Sequence, residues 1–557
     1  CTLKIIKVKF KTSIDYIYGL FLAVILVLLL LDLGSYGLAE TSEARYAEIG
    51  REMFLSGDYL NPKLLEIFHF HKPPITYYLT ALGYKLFGIT EFGARFFLQV
   101  AILLQLLFVY GISNLLFQNK RISLLSGLIY FSMPLVLISS RNLTTDAYLT
   151  TFILASIYCW QYYTQKGTLS FLYLFYSAIG LALLTKGPVA LVFITVYIVT
   201  YKLVFKTKTR LSMHAVLGIC ICIAIGASWY ILVMIENPKL WTYFVEKQLL
   251  SRINSDSFNR GKPFWYYIPI LIGLLLPWLI GSLFNFRLKL KALAKLGKEE
   301  QVLFYSSLVL LLIFSLFKTK LILYILPVFW MLALIIATRL YTSTSKTRKY
   351  INGTYLILLG VILVSILGCW YFKPVFIKIP ITTSLLAFSV ILIVCAFFYV
   401  IQIHDVLKTA FLAALFNLVL LVISPSILKN NSALINSTKE LTRFINLKSD
   451  GADKTIVIDD YLLSSIPFYT GKYPITLKNK HNTTAREVQF QNDSHWQENL
   501  WDEKDSLTLL KLTALAKKKN TYLLARKKRG LSKPISHLAE LFKNKKVSSK
   551  WIMYYND

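Results

Sequence analysis

The chain has 557 residues, of which 56 % are hydrophobic and only 16 % are charged, and its mean hydropathy is +0.55. A water-soluble chain cannot bury so much apolar surface behind so few charges, so the composition excludes a disordered, a fibrous or a soluble multidomain protein. The formal net charge is +32, from 61 Lys and Arg against 29 Asp and Glu. Because the basic residues concentrate in short loops and in the C-terminal tail, they indicate anionic lipid and phosphate-bearing ligands, and we expect no nucleic-acid partner.

The first apolar run, residues 16–33, follows the basic segment 4–11. It is longer than the core of a signal peptide and no small-residue cleavage site follows it, so we expect a retained first span. Since the sequence begins with Cys1, we also expect that residues precede it. The six cysteines form no visible disulfide framework, because five of them lie inside apolar segments.

A helix needs about 20 mainly apolar residues to cross a bilayer. We count thirteen such segments, and the positive-inside rule tests their order. The connections after the even-numbered segments are basic, which predicts a cytoplasmic N-terminus, and an odd number of spans predicts that residues 426–557 lie outside. The predicted segments are 16–36, 96–117, 122–140, 146–164, 170–185, 187–205, 213–235, 264–286, 302–317, 321–338, 351–372, 380–402 and 408–425.

The sequence therefore predicts a transmembrane domain, residues 1–425, and an extracytoplasmic soluble domain, residues 426–557. The second domain is polar, with 23 Lys and Arg against 13 Asp and Glu. Its short β-like runs alternate with helical stretches, which predicts a small α/β domain. We find no internal repeat and no pair of interrupted spans in matching halves, two features that many transporters show.

Charged residues that lie against spans mark functional sites in membrane proteins. Here they cluster on the outer side, in loops 37–95 and 236–263 and at short turns. Apolar residues recur at helical spacing in segment 40–53, which predicts an amphipathic helix at the membrane interface. The carboxylates of this helix then point into a cavity beneath the membrane surface. The alternative is that they only lie on a helix face exposed to solvent. The candidate charged residues are Glu40, Glu43, Arg45, Lys72, Asp146, Lys186, Arg252, Arg260, Lys318 and Lys320.

His69 and His71 are spaced as a metal-binding pair could be. No further ligand lies in register with them, so we expect interfacial polar residues and assign no metal site. The sequence gives no support to a divalent cation as cofactor.

The mixture of acids and cations along one rim suits a phosphate or diphosphate headgroup beside a carboxylate that takes a proton. Neighbouring apolar spans would hold a lipid chain. Sugar transfer from a polyprenyl phosphate needs such a pocket, because cations stabilise the phosphate leaving group while a carboxylate activates the acceptor hydroxyl. The residues alone predict a membrane protein that handles lipid phosphates, and they do not by themselves predict sugar transfer.

Separated motifs follow in order along the first ten segments. They are Ser42-Glu-Ala-Arg-Tyr-Ala-Glu-Ile-Gly-Arg-Glu-Met53, Ser56-Gly-Asp58, His71-Lys-Pro-Pro74, Leu86-Phe-Gly88, Asp146, Thr185-Lys-Gly187, Pro263-Phe-Trp-Tyr-Tyr267, Pro277-Trp278, Lys318-Thr-Lys320 and Tyr324-Ile-Leu-Pro327. Together they resemble the superfamily of bacterial aminoarabinose transferases and dolichyl-phosphate-mannose protein mannosyltransferases. These are integral membrane glycosyltransferases of the GT-C type.

The resemblance implies a mainly α GT-C type polytopic bundle of about 13 transmembrane helices, with extracytoplasmic amphipathic helices and a small C-terminal α/β domain. It implies a multi-pass protein of the bacterial inner membrane with a periplasmic C-terminal domain. The implied donor is a polyprenyl (undecaprenyl) phosphate-sugar, and the implied acceptor is a lipid A-type lipid, another glycolipid or a protein. The alternative predictions are a flippase or transporter of lipid-linked sugars and a non-enzymatic scaffold.

The family associates a first-loop Asp-Glu pair with catalysis, and this chain has Ser42 and Glu43 at that pair. The resemblance therefore leaves Glu43, Glu40 and Asp146 as candidates for the catalytic carboxylate. The residues assigned to the donor phosphate are Arg45, Lys72, Arg252, Lys318, Lys320 and Tyr324. The residues assigned to the substrate pocket are Tyr46, Tyr77, Lys186 and Arg260. His71 and Lys247 depart from the aminoarabinose enzymes, which have Glu and His at these positions.

Overall fold

The computed structural model describes residues 13–207, 212–250, 261–283, 296–400, 403–480, 484–548 and 550–556. Most of these residues are helical. The helices are α1 (Ile14–Leu30), α2 (Glu43–Ser56), α3 (Ile75–Phe87), α4 (Glu91–Phe117), α5 (Lys120–Phe131), α6 (Pro134–Ser140), α7 (Thr145–Lys166), α8 (Leu169–Lys186), α9 (Val189–Phe205), α10 (Met213–Glu236), α11 (Lys239–Thr242), α12 (Tyr267–Leu283), α13 (Lys298–Leu316), α14 (Phe329–Tyr341), α15 (Ser345–Phe372), α16 (Ile381–Val400), α17 (Asp405–Asn430), α18 (Lys439–Ser449), α19 (Ile466–Thr470) and α20 (Ser506–Ala516). A π-helix covers Tyr243–Leu250, and the longer 3₁₀ segments are Ile322–Val328 and Lys533–Leu541.

Within the described ranges, eight helices are long and apolar enough to cross a membrane, or nine if the bent pair α5 and α6 forms one span. Helices occupy all thirteen predicted segments, but several of them, α1 and α9 among them, are shorter than a full span. The predicted number of thirteen is therefore not confirmed. The pair α5 and α6 meets at 63°, and Pro134, which cannot donate a backbone hydrogen bond, begins the second helix.

The first outer loop folds over the ends of the spans. It contains α2, a two-residue hairpin of strands β1 (Lys63–Leu64) and β2 (Ile67–Phe68), and α3. Leu65 and Glu66, the two hairpin turn residues, both have positive φ, as a tight type I′ turn requires. The buried face of α2 includes Glu43, Glu48, Arg51 and Glu52. The alternative that this helix exposes its charges only to solvent is therefore wrong.

The C-terminal residues form a six-stranded sheet with helices on both faces. Its strands are β3 (Thr455–Asp459), β4 (Ile475–Lys478), β5 (Leu500–Asp502), β6 (Thr521–Arg526), β7 (Asn544–Val547) and β8 (Trp551–Asn556). The spatial order is β5-β4-β3-β6-β8-β7. The first four strands are parallel, and β8 pairs antiparallel with both β6 and β7. One apolar cluster packs α18 and α19 on the sheet, and another packs α20 on the opposite face. The predicted small C-terminal α/β domain is confirmed.

Two buried carboxyl groups meet at the carboxyl ends of the parallel strands. Asp459 ends β3, and Glu503 follows β5. Ser532 joins them, because its backbone amide donates to Asp459 Oδ2 at 2.9 Å and its hydroxyl donates to Glu503 Oε2 at 2.6 Å. Burial and the neighbouring carboxyl group of Glu503 raise the pKa of Asp459 to about 8. The fold therefore favours the protonated form of Asp459.

This pair makes the stability of the C-terminal domain depend on pH. Because the pKa of folded Asp459 lies above its ordinary value of 3.8, its stabilising contribution is complete below about pH 4 and is lost as the pH rises through about 8. We expect the thermal unfolding midpoint of the full chain to fall between pH 6 and pH 9, and the Asp459→Asn variant to lose this dependence. Equal pH dependence in both proteins would contradict the assignment.

Candidate functional site

Glu43 lies in a buried ion pair with Arg95. The Arg95 Nε is 2.8 Å from Glu43 Oε1 and Nη2 is 3.0 Å from Oε2, and the two side chains are 0 % and 2 % exposed. The remaining donors of Arg95 bind three backbone carbonyls of the turn after α1, those of Leu33, Tyr36 and Gly37. This bidentate pair holds α2 against α4, and it occupies both carboxylate oxygens of Glu43.

Glu40 binds the C-terminal domain. Its carboxylate accepts the backbone amides of Ser464 at 3.2 Å and Ser465 at 2.9 Å, and the Ser465 hydroxyl at 2.5 Å. Burial raises the pKa of Glu40, while these hydrogen bonds oppose the rise. Nearby, the Tyr469 hydroxyl accepts the Leu38 amide at 2.8 Å. The side chain of Glu40 therefore fixes the C-terminal domain beside the start of α2.

Asp146 and Lys186 form the central ion pair of the site. Asp146 lies in the first turn of α7 and Lys186 in the last turn of α8, and these packed neighbours bring the two ends together. Lys186 Nζ is 2.5 Å from Asp146 Oδ1, and both side chains are 9 % exposed. The same Nζ lies 4.3 Å from the ring centroid of Tyr324. The helix dipole at the start of α7 also favours a carboxylate here.

The residues of α2 that follow Glu43 face this pair. The Tyr46 hydroxyl lies beside Thr145, next to Asp146, and burial raises the pKa of Tyr46 to about 12. Its ring lies 5.7 Å from that of Tyr77. Arg45 is half-buried, and within the described ranges its hydrogen bonds go to the carbonyl of Thr41, at 3.4 Å from both Nε and Nη2. The structure thus brings Arg45, Tyr46, Tyr77 and Tyr324 into the surroundings of the Asp146–Lys186 pair.

The segment after β2 carries the two histidines and Lys72. The rings of His69 and His71 stack at 4.1 Å with 1° between their planes. Burial, the proximity of His71 and the positive charge of Arg45 lower the pKa of His69 well below its usual value, so that His69 is neutral at pH 7. Lys72 is half-buried, and its positive charge also lowers the pKa of His69. In the described parts of the chain, no three His, Cys, Asp or Glu side chains are grouped as a metal ion would require.

The other predicted cations are placed differently. Lys320 is 2 % exposed and donates to the carbonyls of Lys262 at 2.9 Å and Phe317 at 2.5 Å, so its ammonium group holds two backbone segments. Lys318 is exposed. Arg252 and Arg260 lie outside the described residues.

Sequence reasoning missed Arg95, which neutralises Glu43, and Arg486, which the C-terminal domain brings to the first outer loop. Arg95 does carry a signal, because it lies near the start of a 27-residue apolar helix in which a charged side chain needs a partner. Arg486 carries none, because it lies in a polar loop far along the chain.

Residues 71–231 match the family model described as dolichyl-phosphate-mannose-protein mannosyltransferase. The undecaprenyl phosphate-alpha-4-amino-4-deoxy-L-arabinose arabinosyl transferase 2 of Proteus mirabilis is 31 % identical over 344 residues, covering 60 % of this chain and 61 % of that protein. The corresponding transferase of Aeromonas hydrophila is 32 % identical over 356 residues, covering 62 % and 64 %. This chain therefore spans less than two thirds of the length of these relatives.

Among solved structures, ArnT from Cupriavidus metallidurans bound to undecaprenyl phosphate superposes with a TM-score of 0.76 at 20 % identity, covering 98 % of each chain. Its apo form gives a TM-score of 0.75. At this identity the likeness establishes the fold, and the protein is a multi-pass membrane protein of the GT-C type, as the sequence predicts. With the sequence matches, the predicted resemblance is confirmed: the chain is similar to aminoarabinose transferases and, over residues 71–231, to dolichyl-phosphate-mannose-protein mannosyltransferases.

Proposed function

We propose that the protein is a glycosyltransferase that moves a sugar from a polyprenyl phosphate to an acceptor on the extracytoplasmic face of the bacterial inner membrane. The observation that carries the proposal is the buried Asp146–Lys186 pair, which is surrounded by Tyr324, Tyr46 and the weakly bonded Arg45. A carboxylate and several cations at one membrane-proximal site match the needs of phosphate departure and acceptor activation.

The names of the relatives suggest the donor. They are undecaprenyl phosphate-alpha-4-amino-4-deoxy-L-arabinose arabinosyl transferases, so we take an undecaprenyl phosphate carrying an aminoarabinose-like sugar as the first donor to test. The proposed acceptor is a lipid A-type lipid, with another glycolipid or a protein as the alternative.

The proposed chemistry is an inverting displacement at the anomeric carbon of the sugar. The acceptor oxygen forms a bond to this carbon, and the bond from the carbon to the phosphate oxygen breaks. The electron pair stays on the polyprenyl phosphate, whose charge Lys72, Arg45 and Lys186 stabilise. Asp146 takes the proton of the acceptor hydroxyl. Of the three candidate carboxylates we choose Asp146, because Arg95 occupies Glu43 and Ser464 and Ser465 occupy Glu40.

The Asp146–Lys186 ion pair keeps the proposed base occupied until the donor binds. In the free protein Lys186 neutralises Asp146 at 2.5 Å. A bound donor phosphate offers Lys186 a second anionic partner, which weakens its hold on Asp146 and leaves the carboxylate free to bind the acceptor hydroxyl. Donor binding therefore prepares Asp146 for the acceptor.

The proposed topology has a cytoplasmic N-terminus and a periplasmic C-terminal domain. Its division into residues 1–425 and 426–557 is supported by the basic connections after even-numbered segments. It is also supported by the hydrogen bonds of Glu40 in the first outer loop with Ser464 and Ser465 of the C-terminal domain. Both parts then meet on the same side of the membrane.

The test is transfer of radiolabelled sugar by the purified protein in lipid, comparing wild type with Lys72→Ala and Lys85→Ala. Lys85 is an exposed lysine of the same outer loop and serves as the matched control. We expect label in a lipid A or protein fraction with wild type and Lys85→Ala, and a rate lower by about 100-fold or more with Lys72→Ala, since the leaving phosphate loses a cation.

Full activity of a folded Lys72→Ala protein would remove Lys72 from the site. Tight donor binding without transfer by the wild type, for every donor and acceptor offered, would contradict the glycosyltransferase and favour a transporter of lipid-linked sugars.

A further inference from the structure

Arg486 reaches from the C-terminal domain to the first outer loop of the membrane domain. It lies between β4 and β5, and its Nη2 donates to the Leu64 carbonyl at 2.5 Å, in the β1–β2 hairpin. The side chain of Asn499 binds the Glu66 carboxylate in the same hairpin. From the other side, Glu52 of α2 accepts the backbone amides of Leu65 at 2.5 Å and Glu66 at 3.1 Å. The hairpin that leads to His69 and Lys72 is therefore held between α2 and the C-terminal domain.

Leu64, whose carbonyl binds Arg486, belongs to an apolar cluster against which Tyr46, the neighbour of Arg45 on α2, packs. The positive charges of Arg45 and Arg486 repel each other, and both lower the pKa of His69. Burial lowers the pKa of Arg486 itself to about 10, although Glu52 opposes this shift. A tight ion pair has the opposite effect on an arginine. In the described part of the chain, neither Arg45 nor Arg486 has a hydrogen-bonded carboxylate, because Arg45 binds the Thr41 carbonyl and Arg486 that of Leu64.

Two half-buried guanidinium groups that lack a hydrogen-bonded anion in the described part of the chain repel each other, and an anion placed between them relieves this repulsion. The planar guanidinium group with its parallel N–H donors matches the oxygens of a phosphate. The neighbouring His69 is neutral and adds no competing charge. These properties favour a phosphate ligand over a neutral sugar at this position.

We propose that Arg45 and Arg486 together bind a phosphate group of one of the two substrates, so that the C-terminal domain contributes a residue to the substrate site. The inference rests on the proposed function, in which the donor is a polyprenyl phosphate and a lipid A-type acceptor also carries phosphate. It adds to that function a substrate-binding residue from outside the membrane domain.

The experiment compares Arg486→Gln, Arg486→Lys and the control Arg529→Gln with wild type, as full chains in lipid nanodiscs. Arg529 belongs to the same domain, is 56 % exposed in its side chain and lies 3.7 Å from Asp460. The measured quantities are the Kd of undecaprenyl phosphate alone, and the KM of the radiolabelled donor and of lipid A at two salt concentrations. We expect Arg486→Gln to raise one of these constants about tenfold or more, to change kcat less, and to reduce its salt dependence.

The outcomes separate the two phosphate sources. A higher Kd of undecaprenyl phosphate with a higher donor KM assigns the donor phosphate, whereas a higher KM for lipid A alone assigns the acceptor phosphate. Unchanged constants with a lower unfolding temperature would overturn the inference, since Arg486 would then only hold the hairpin. If Arg486→Gln does not fold, Arg486→Lys, which keeps the charge but loses the planar fork, decides in the same assays.

Failure of the proposed function is recognised separately, because the wild type then transfers no sugar. In that case the inference is tested by the Kd values of undecaprenyl phosphate and of lipid A, measured without transfer for wild type and the Arg486 variant. If wild type and the Arg486 variant bind both lipids equally well, the inference is overturned.

Discussion

Replacing Asp146 by Asn is expected to lower the rate of sugar transfer by about 100- to 10,000-fold, the range typical for loss of a general base. The amide keeps the size of the side chain and its place at the start of α7, but it cannot take the proton of the acceptor. Donor binding should persist, because the phosphate is held by cations. Single-turnover transfer of radiolabelled sugar, measured beside the Kd of undecaprenyl phosphate, separates the two effects.

The same substitution leaves the buried Lys186 without its anionic partner, so a loss of stability has to be distinguished from a loss of chemistry. The double variant Asp146→Asn, Lys186→Met removes both charges and is expected to regain thermal stability without regaining transfer. Asp405→Asn, which changes an aspartate that is 67 % exposed in its side chain, is the matched control. Transfer at the wild-type rate by folded Asp146→Asn would exclude Asp146 as the base and leave Glu43 and Glu40 as candidates.

Replacing Arg95 by Ala is expected to destabilise the protein strongly, by about 3–5 kcal/mol in the free energy of unfolding. The reason is that Glu43, which is 2 % exposed, would lose its cationic partner while remaining buried. Three carbonyls of the turn after α1 would also lose their donor. Thermal unfolding of the purified variant in detergent measures the effect.

Arg339→Ala provides the comparison for this loss. Arg339 also forms an ion pair, 3.0 Å from Glu300, but its side chain is 53 % exposed, so its removal should change the unfolding free energy by about 1 kcal/mol or less. If the two variants unfold at the same temperature, the Glu43–Arg95 pair does not hold the outer loop in place.

The sequence was informative where one local property decides the structure. Hydropathy located a helix in each apolar segment, and the spacing of Tyr46, Ile49 and Met53 predicted α2. The number of full spans was not predictable in the same way. Helices such as α1 and α9 are shorter than the bilayer is thick, and Pro134 divides one apolar run into two helices.

The site was predictable as a set of residues but not as a set of pairs. Asp146 and Lys186 were both candidates, yet their contact depends on how α7 and α8 pack, over a separation of 40 residues. Glu43 was a candidate for the same reason as Asp146, and only the position of Arg95, 52 residues away, distinguishes them. Arg486 joins the first outer loop from 422 residues away, a distance at which no local pattern carries information.

The contact of Glu40 with Ser464 and Ser465 has a consequence for how the two domains evolve. The loop that follows β3 ends on the segment leading into α2, so a change in either part alters the fit of the other. The two parts are then expected to diverge together. A chimera that receives the C-terminal domain of a relative should lose activity even when that domain folds, and exchange of residues 37–95 along with it should restore activity.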